Sequence, residues 1–162
     1  MEYDNSGVRR QDRLLPEENA YRLLKEGEYG VLSMVTPEGM PYGVPVNYVW
    51  DGKDAVYIHC APEGRKLRCL RETPEASFCI VGRTHVIPNK FTTNYESIVL
   101  TCRVELGLPE AERMDALHRI IDKYAPSFRE IGEKYAEKSF HRTEIIKLNI
   151  ISFTGKSKNI PF

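Results

Sequence analysis

The sequence predicts a mainly β domain with helices at its periphery, and three observations carry that prediction. Apolar runs at 29–35, 42–50 and 55–60 are joined by Thr36-Pro37-Glu38-Gly39 and Asp51-Gly52-Lys53-Asp54. Links this short join only antiparallel neighbours, because a parallel crossover needs about a dozen residues or more. Residues 96–106 alternate in polarity. Ile98, Leu100, Cys102, Val104 and Leu106 share one face, and Ser97, Val99, Thr101, Arg103 and Glu105 share the other. After Pro109 the period becomes helical, with Ala111, Met114, Leu117, Ile121 and Tyr124 forming a stripe.

The elements follow in order. Pro16 opens a helical stretch with Ala20, Leu23 and Leu24 on one face, and Gly27 stops it. The three short strands come next. Residues 64–72 read as a short helix ended by Thr73-Pro74. Residues 76–82 form another apolar strand, and 96–106 the alternating one. Pro126 breaks the helix after Pro109, residues 127–138 form a second, and 144–153 the last strand, ending at Thr154-Gly155-Lys156. About six antiparallel strands with peripheral helices fit a small β-barrel, since closure removes exposed edges. A sandwich fits the pattern equally well. No repeat or linker interrupts the chain, so the expected organisation is a polar N-terminal extension, 1–13, and one domain, 14–162.

Composition narrows the function. A chain of 162 residues buries roughly 70% of its unfolded surface, enough for a core without staples. Lys+Arg and Asp+Glu are both 23, which disfavours the broad basic surface that nucleic acid or anionic membrane requires. The start of the chain lacks the apolar core of a signal peptide, and no stretch approaches the ~20 apolar residues of a membrane span. A cytoplasmic protein is expected. Cys60, Cys69, Cys79 and Cys102 are scattered without metal-ligand spacing, so free thiols and no metal site are expected.

One block is rich in chemistry: Pro45-Val46-Asn47-Tyr48 through Ile58-His59-Cys60-Ala61-Pro62-Glu63-Gly64-Arg65-Lys66-Leu67. A strand ends at His59, a turn containing Gly64 follows, and Arg65 and Lys66 begin a helix. Helix-start N–H groups and two cations converging on one point suit an anion such as a phosphate. Solvated surface charges would show the same pattern. His59 is either a structural residue or a group titrating near neutral pH. Phe91-Thr92-Thr93-Asn94-Tyr95-Glu96-Ser97 places aromatics beside hydroxyls, suited to a planar ring or to ordinary strand packing. There is no GxSxG elbow, no phosphate-binding P-loop and no GxGxxG turn.

In these residues the chain resembles the 5-nitroimidazole resistance proteins, within the pyridoxamine 5′-phosphate oxidase-like flavin-binding group. The carrying segments are Arg9-Arg10-Gln11-Asp12-Arg13, Gly30-Val31-Leu32-Ser33, Pro41 through Val49, Tyr57 through Lys66, Phe91 through Ser97, and Thr154-Gly155-Lys156. Their ordered combination carries the resemblance.

The resemblance implies a split β-barrel homodimer with FMN at the subunit interface. Val46, Asn47 and Tyr48 would line the isoalloxazine and ribityl region, and His59, Cys60 and Ala61 would lie beside the cofactor. Gly64, Arg65 and Lys66 would hold its phosphate, with Tyr95 and Ser97 contributed across the dimer. The implied activity is reduction of a nitro group by reduced FMN, with His59 as the candidate catalytic residue, in a proton-supplying or an orienting role. No second cluster of cations suited to a pyridoxamine phosphate substrate is visible, which disfavours the oxidase activity. Two alternatives share the fold: a non-catalytic flavin-binding or sensing protein, and a haem-binding split barrel with His59 as axial ligand.

Overall fold

The computed structural model describes residues 1–161. Its strands are β1 (Glu2–Tyr3), β2 (Tyr29–Val35), β3 (Pro41–Asn47), β4 (Val49–Trp50), β5 (Ala55–Cys60), β6 (Glu75–Ile87), β7 (Thr92–Glu105) and β8 (Glu144–Lys158). The helices are α1 (Glu17–Glu26), α2 (Arg65–Glu72), α3 (Glu110–Tyr124) and α4 (Arg129–Ser139). The mainly β class with peripheral helices is the observed one.

The sheet runs β3-β2-β6-β7-β8-β5-β4, antiparallel throughout, while β1 pairs parallel with β8 through Glu2↔Ser152 and Tyr3↔Phe153. The ends of the path come together where β3 touches β5, so the sheet curls into a barrel. Inside sit Leu32, Val56, Ile58, Phe78, Ile80, Ile98, Leu100, Ile146 and Leu148, all buried. The alternation of 96–106 is realised in this way: Ile98, Leu100, Cys102 and Val104 point inward.

The run Ala55–Ile58 is buried on both faces because α3 and α4 cover the outside of β5 and β8. Ala55, Tyr57, Ile145, Leu117 and Ala136 form this second, smaller core. Tyr57 Oη donates to Glu112 Oε1 at 2.8 Å, and Lys147 Nζ donates to the same oxygen at 2.8 Å. Burial and the neighbouring Glu112 push the Tyr57 hydroxyl up to about 12.

Three elements differ from expectation. The run 42–50 is two strands, β3 and β4, separated at Tyr48. There α3 intervenes, with Tyr48 N–H donating to Tyr124 Oη at 3.0 Å and Lys123 Nζ donating to Tyr48 O at 3.0 Å. The strands begun at 76 and 96 extend into a long hairpin, whose register shifts between Val81 and Thr84. The first residues also join the sheet: Tyr3 packs on Phe153, ring centres 4.8 Å apart, and its hydroxyl donates to Leu15 O.

Candidate functional site

The end of β5 and the start of α2 make the first part of the site. Gly64 precedes α2 with φ of +154°, a conformation that favours glycine, and no side chain caps the helix. The first intrahelical bond runs from Arg68 N–H to Gly64 O at 3.2 Å, leaving the N–H groups of Arg65, Lys66 and Leu67 as helix-start donors. Arg65 is exposed, and its guanidinium lies 4.2 Å from the centre of the Tyr42 ring on β3. Lys66 is half-buried and close enough that its charge acts on both His59 and Cys60.

His59 sits near the end of β5 opposite Ile145 of β8, and is exposed. Partial desolvation lowers its pKa from the ordinary imidazole value, and the Lys66 charge lowers it further. Its resting form at neutral pH is therefore the uncharged ring. Cys60 is half-buried and packs on the barrel core, where burial pushes its thiol up. Ala61 is exposed in the turn toward Gly64.

The second part lies at the end of β3. Val46 and Asn47 border a cavity of about 420 Å³ with Glu28, Tyr29 and Pro45. Asn47 Nδ2 donates to Glu28 O at 3.0 Å, fixing the amide at the rim. Tyr48 departs from the expected lining role. Its side chain is fully buried, with Oη donating to Leu24 O at 2.7 Å and the ring edge-on to Phe78 at 5.2 Å. Its peptide N–H donates to Tyr124 Oη, and its carbonyl accepts from Lys123 Nζ.

Lys123 itself lies 3.7 Å from the Tyr48 ring centre, and burial depresses its ammonium to about 8. Sequence pattern hides this support, because α3 and β3 are distant in the chain.

The third part is a larger cleft of about 850 Å³ between α1, the outer half of the β6–β7 hairpin and the end of β8. Tyr95 lines it. Ser97 pairs with Val81 and with Lys156. Arg22, Arg83 and Lys158 line the same cleft, so the fold gathers a second cation cluster that the linear sequence conceals.

The structure therefore unites His59, Cys60, Gly64, Arg65 and Lys66, and brings β3 beside them through Tyr42. It does not bring Tyr95 to them within one chain. His59 pairs with Ile145 at the start of β8, whereas Tyr95 pairs with Lys158 at its end. That separation is on the order of 40 Å of strand contour.

The chain matches the pyridoxamine 5′-phosphate oxidase family over residues 16–157 and belongs to it. Solved structures with the same fold include a candidate 5-nitroimidazole antibiotic resistance protein from Bacteroides thetaiotaomicron. It is 19% identical, with a TM-score of 0.70 over 88% of this chain and 85% of that one. An FAD- and haem-binding protein from Mycobacterium smegmatis is 20% identical, with a TM-score of 0.73 over 90% of this chain and 73% of that one. The flavocytochrome Anf3 from Azotobacter vinelandii is 21% identical, with a TM-score of 0.70 over 90% of this chain and 68% of that one. No curated protein matches the chain. These likenesses establish the pyridoxamine oxidase-like split-barrel fold, mainly antiparallel β with four α-helices among the described residues. No helix is long and apolar enough to cross a membrane among the described residues.

Proposed function

We propose that this protein is a cytoplasmic, FMN-dependent oxidoreductase of the 5-nitroimidazole resistance type, acting as a homodimer on small nitroaromatic compounds. The observation that carries the reading is the start of α2. Uncapped N–H groups, Arg65 and Lys66 meet there beside His59, and a phosphate monoester fits that donor set. An FAD- and haem-binding protein and a flavocytochrome among the structural neighbours support a flavin as the cofactor class.

When bound, FMN supplies a two-electron hydride for nitro-group reduction, chemistry that belongs to the cofactor. The chain's part is to hold and orient. Lys66 and the α2 N–H groups bind the phosphate, while Arg65, steadied by Tyr42, adds a second cation. Val46 and Asn47 border the ring system, and Cys60 and Ala61 flank it. His59 presents an uncharged imidazole, fitted to orient the acceptor by a hydrogen bond.

The dimer completes the site. Across the outer face, Val31 pairs with Cys79 and Cys79 with Val99. Val81, Val99 and Ile151 are 50%, 41% and 54% exposed, an apolar face that a second copy would cover. Tyr95 and Ser97 of one protomer then contribute to the site of the other.

Cofactor retention tests the reading. Flavin released from the purified protein should be FMN, and Lys66→Ala should weaken FMN retention about tenfold while leaving the melting temperature near that of the parent. Unchanged retention would remove Lys66 from the phosphate site. Sedimentation of the flavin-loaded protein should show a dimer, and a loaded monomer would contradict the interface site.

A further inference from the structure

The ladder between β2 and β3 ends at the pair Tyr29↔Asn47. One step further on, where Glu28 and Tyr48 would pair, the hydroxyl of Tyr124 from the last residue of α3 stands between the two chains. Tyr124 Oη accepts from Tyr48 N–H at 3.0 Å and lies 2.7 Å from both Glu28 O and Tyr48 O. One hydroxyl has one proton to give. Tyr48 O already accepts from Lys123 Nζ at 3.0 Å, which leaves the Tyr124 proton for Glu28 O. A side chain thus supplies the next rung of the sheet: Tyr48 N–H to Tyr124 Oη, and Tyr124 O–H to Glu28 O.

The two chains joined by this rung are the walls of the 420 Å³ cavity, Glu28 and Tyr29 on one side and Pro45, Val46 and Asn47 on the other. Glu28 O also accepts from Asn47 Nδ2 at 3.0 Å, so the Asn47 amide takes its direction from the carbonyl that Tyr124 holds. The link from α1 is fitted to the same place. A Cβ on Gly27 would stand 2.6 Å from Tyr48 Oη and 2.6 Å from Ile80 Cγ2, so glycine lets the chain enter Glu28 close beside Tyr48. Tyr124 itself is half-buried and reaches both walls through their backbone.

We propose that Tyr124 is a positioning residue for the flavin ring: its hydroxyl fixes the spacing of the two cavity walls and the direction of the Asn47 amide. This rests on the reading that Val46 and Asn47 border the ring system. Without the hydroxyl, Tyr48 N–H loses its acceptor and Glu28 O keeps only the Asn47 amide, so the end of β3 is free to shift.

The test compares Tyr124→Phe with Tyr57→Phe, which removes a different hydrogen bond between α3 and the sheet, the one from Tyr57 to Glu112. Fluorescence titration with FMN is run at a temperature where circular dichroism shows each protein folded. Tyr124→Phe should raise the Kd about tenfold and displace the absorption bands of the bound flavin from those of the parent. Tyr57→Phe should match the parent in both. Amide exchange, measured without flavin, should quicken at 28–29 and 46–48 in Tyr124→Phe alone. Parent affinity and spectrum in Tyr124→Phe would overturn the proposal. So would equal losses in the two variants, which would reduce the effect to general anchoring of α3. A parent that binds no FMN would remove the cofactor reading instead. Exchange then decides the rung by itself, quickened exchange supporting it and unchanged exchange overturning it. If Tyr124→Phe fails to fold, Lys123→Met replaces it, because the Tyr124 proton is then divided between Tyr48 O and Glu28 O. Unaltered FMN binding and exchange in Lys123→Met would likewise overturn the proposal.

Discussion

The Arg65 guanidinium lies 4.2 Å from the centre of the Tyr42 ring, tying the first turn of α2 to β3. Through this contact the start of α2 is tied to the first residues of β3, and the cavity at Val46 and Asn47 lies at the other end of that strand. A cation over an exposed ring contributes about 0.5–1 kcal/mol, so the pair orients the helix start more than it stabilises the fold. Tyr42→Leu should therefore lower stability by no more than about 1 kcal/mol in urea denaturation while increasing the FMN dissociation rate several-fold. An unchanged dissociation rate would show that Arg65 needs no support from Tyr42.

Tyr48 holds α1 against the barrel. Its Oη donates to Leu24 O at 2.7 Å and approaches Leu23 O at 3.3 Å, inside the core. Tyr48→Phe keeps the ring and leaves a carbonyl without its donor, so the expected loss is about 1–2 kcal/mol with little change in denaturant slope. A loss near zero would mean that the hydroxyl is not needed there.

Lys123 gives stability a dependence on alkaline pH. Its folded value, about 8, lies below that of an ordinary lysine because burial disfavours the charged form. The unfolded chain therefore binds more protons than the folded one between about 8 and the ordinary lysine value. Stability relative to Lys123→Met should rise with pH across that window. Parallel pH profiles of the two proteins would contradict the assignment.

How much of the fold and site was legible in the sequence follows from the range of the interactions. The strands β2 and β5 lie where the short links and apolar runs place them, because hairpin pairing is local. The split of 42–50 was hidden, since its cause is Lys123 and Tyr124 on α3. The polar start of the chain carries no strand periodicity, yet Glu2 and Tyr3 pair with β8. Arg65, Lys66 and His59 were visible as a site because one strand, one turn and one helix hold them together. The second cation cluster was invisible because Arg22, Arg83 and Lys158 meet only after the hairpin and the end of β8 fold beside α1.

His59 and Lys66 are coupled, and the coupling is measurable. Desolvation and the Lys66 charge both lower the His59 pKa. A phosphate held by Lys66 would offset that charge, so the His59 pKa followed by NMR should rise on FMN binding and in Lys66→Ala without flavin. The folded pKa lies below the unfolded one, so this residue's contribution to stability is present above the ordinary imidazole range and lost as pH falls through the folded value. A His59 pKa that ignores both changes would separate it from the phosphate site.

The spectrum of the purified protein distinguishes the competing cofactors. Flavin bands without a Soret band are expected. A Soret band abolished by His59→Ala would instead make His59 a haem ligand and displace FMN as the cofactor.

The most direct test of the central claim is anaerobic mixing of chemically reduced, FMN-loaded protein with a 5-nitroimidazole. The flavin should reoxidise in step with consumption of the nitro compound, and His59→Ala should slow that reoxidation while retaining FMN. Flavin that stays reduced in the presence of the nitro compound would contradict the assignment as a nitroreductase.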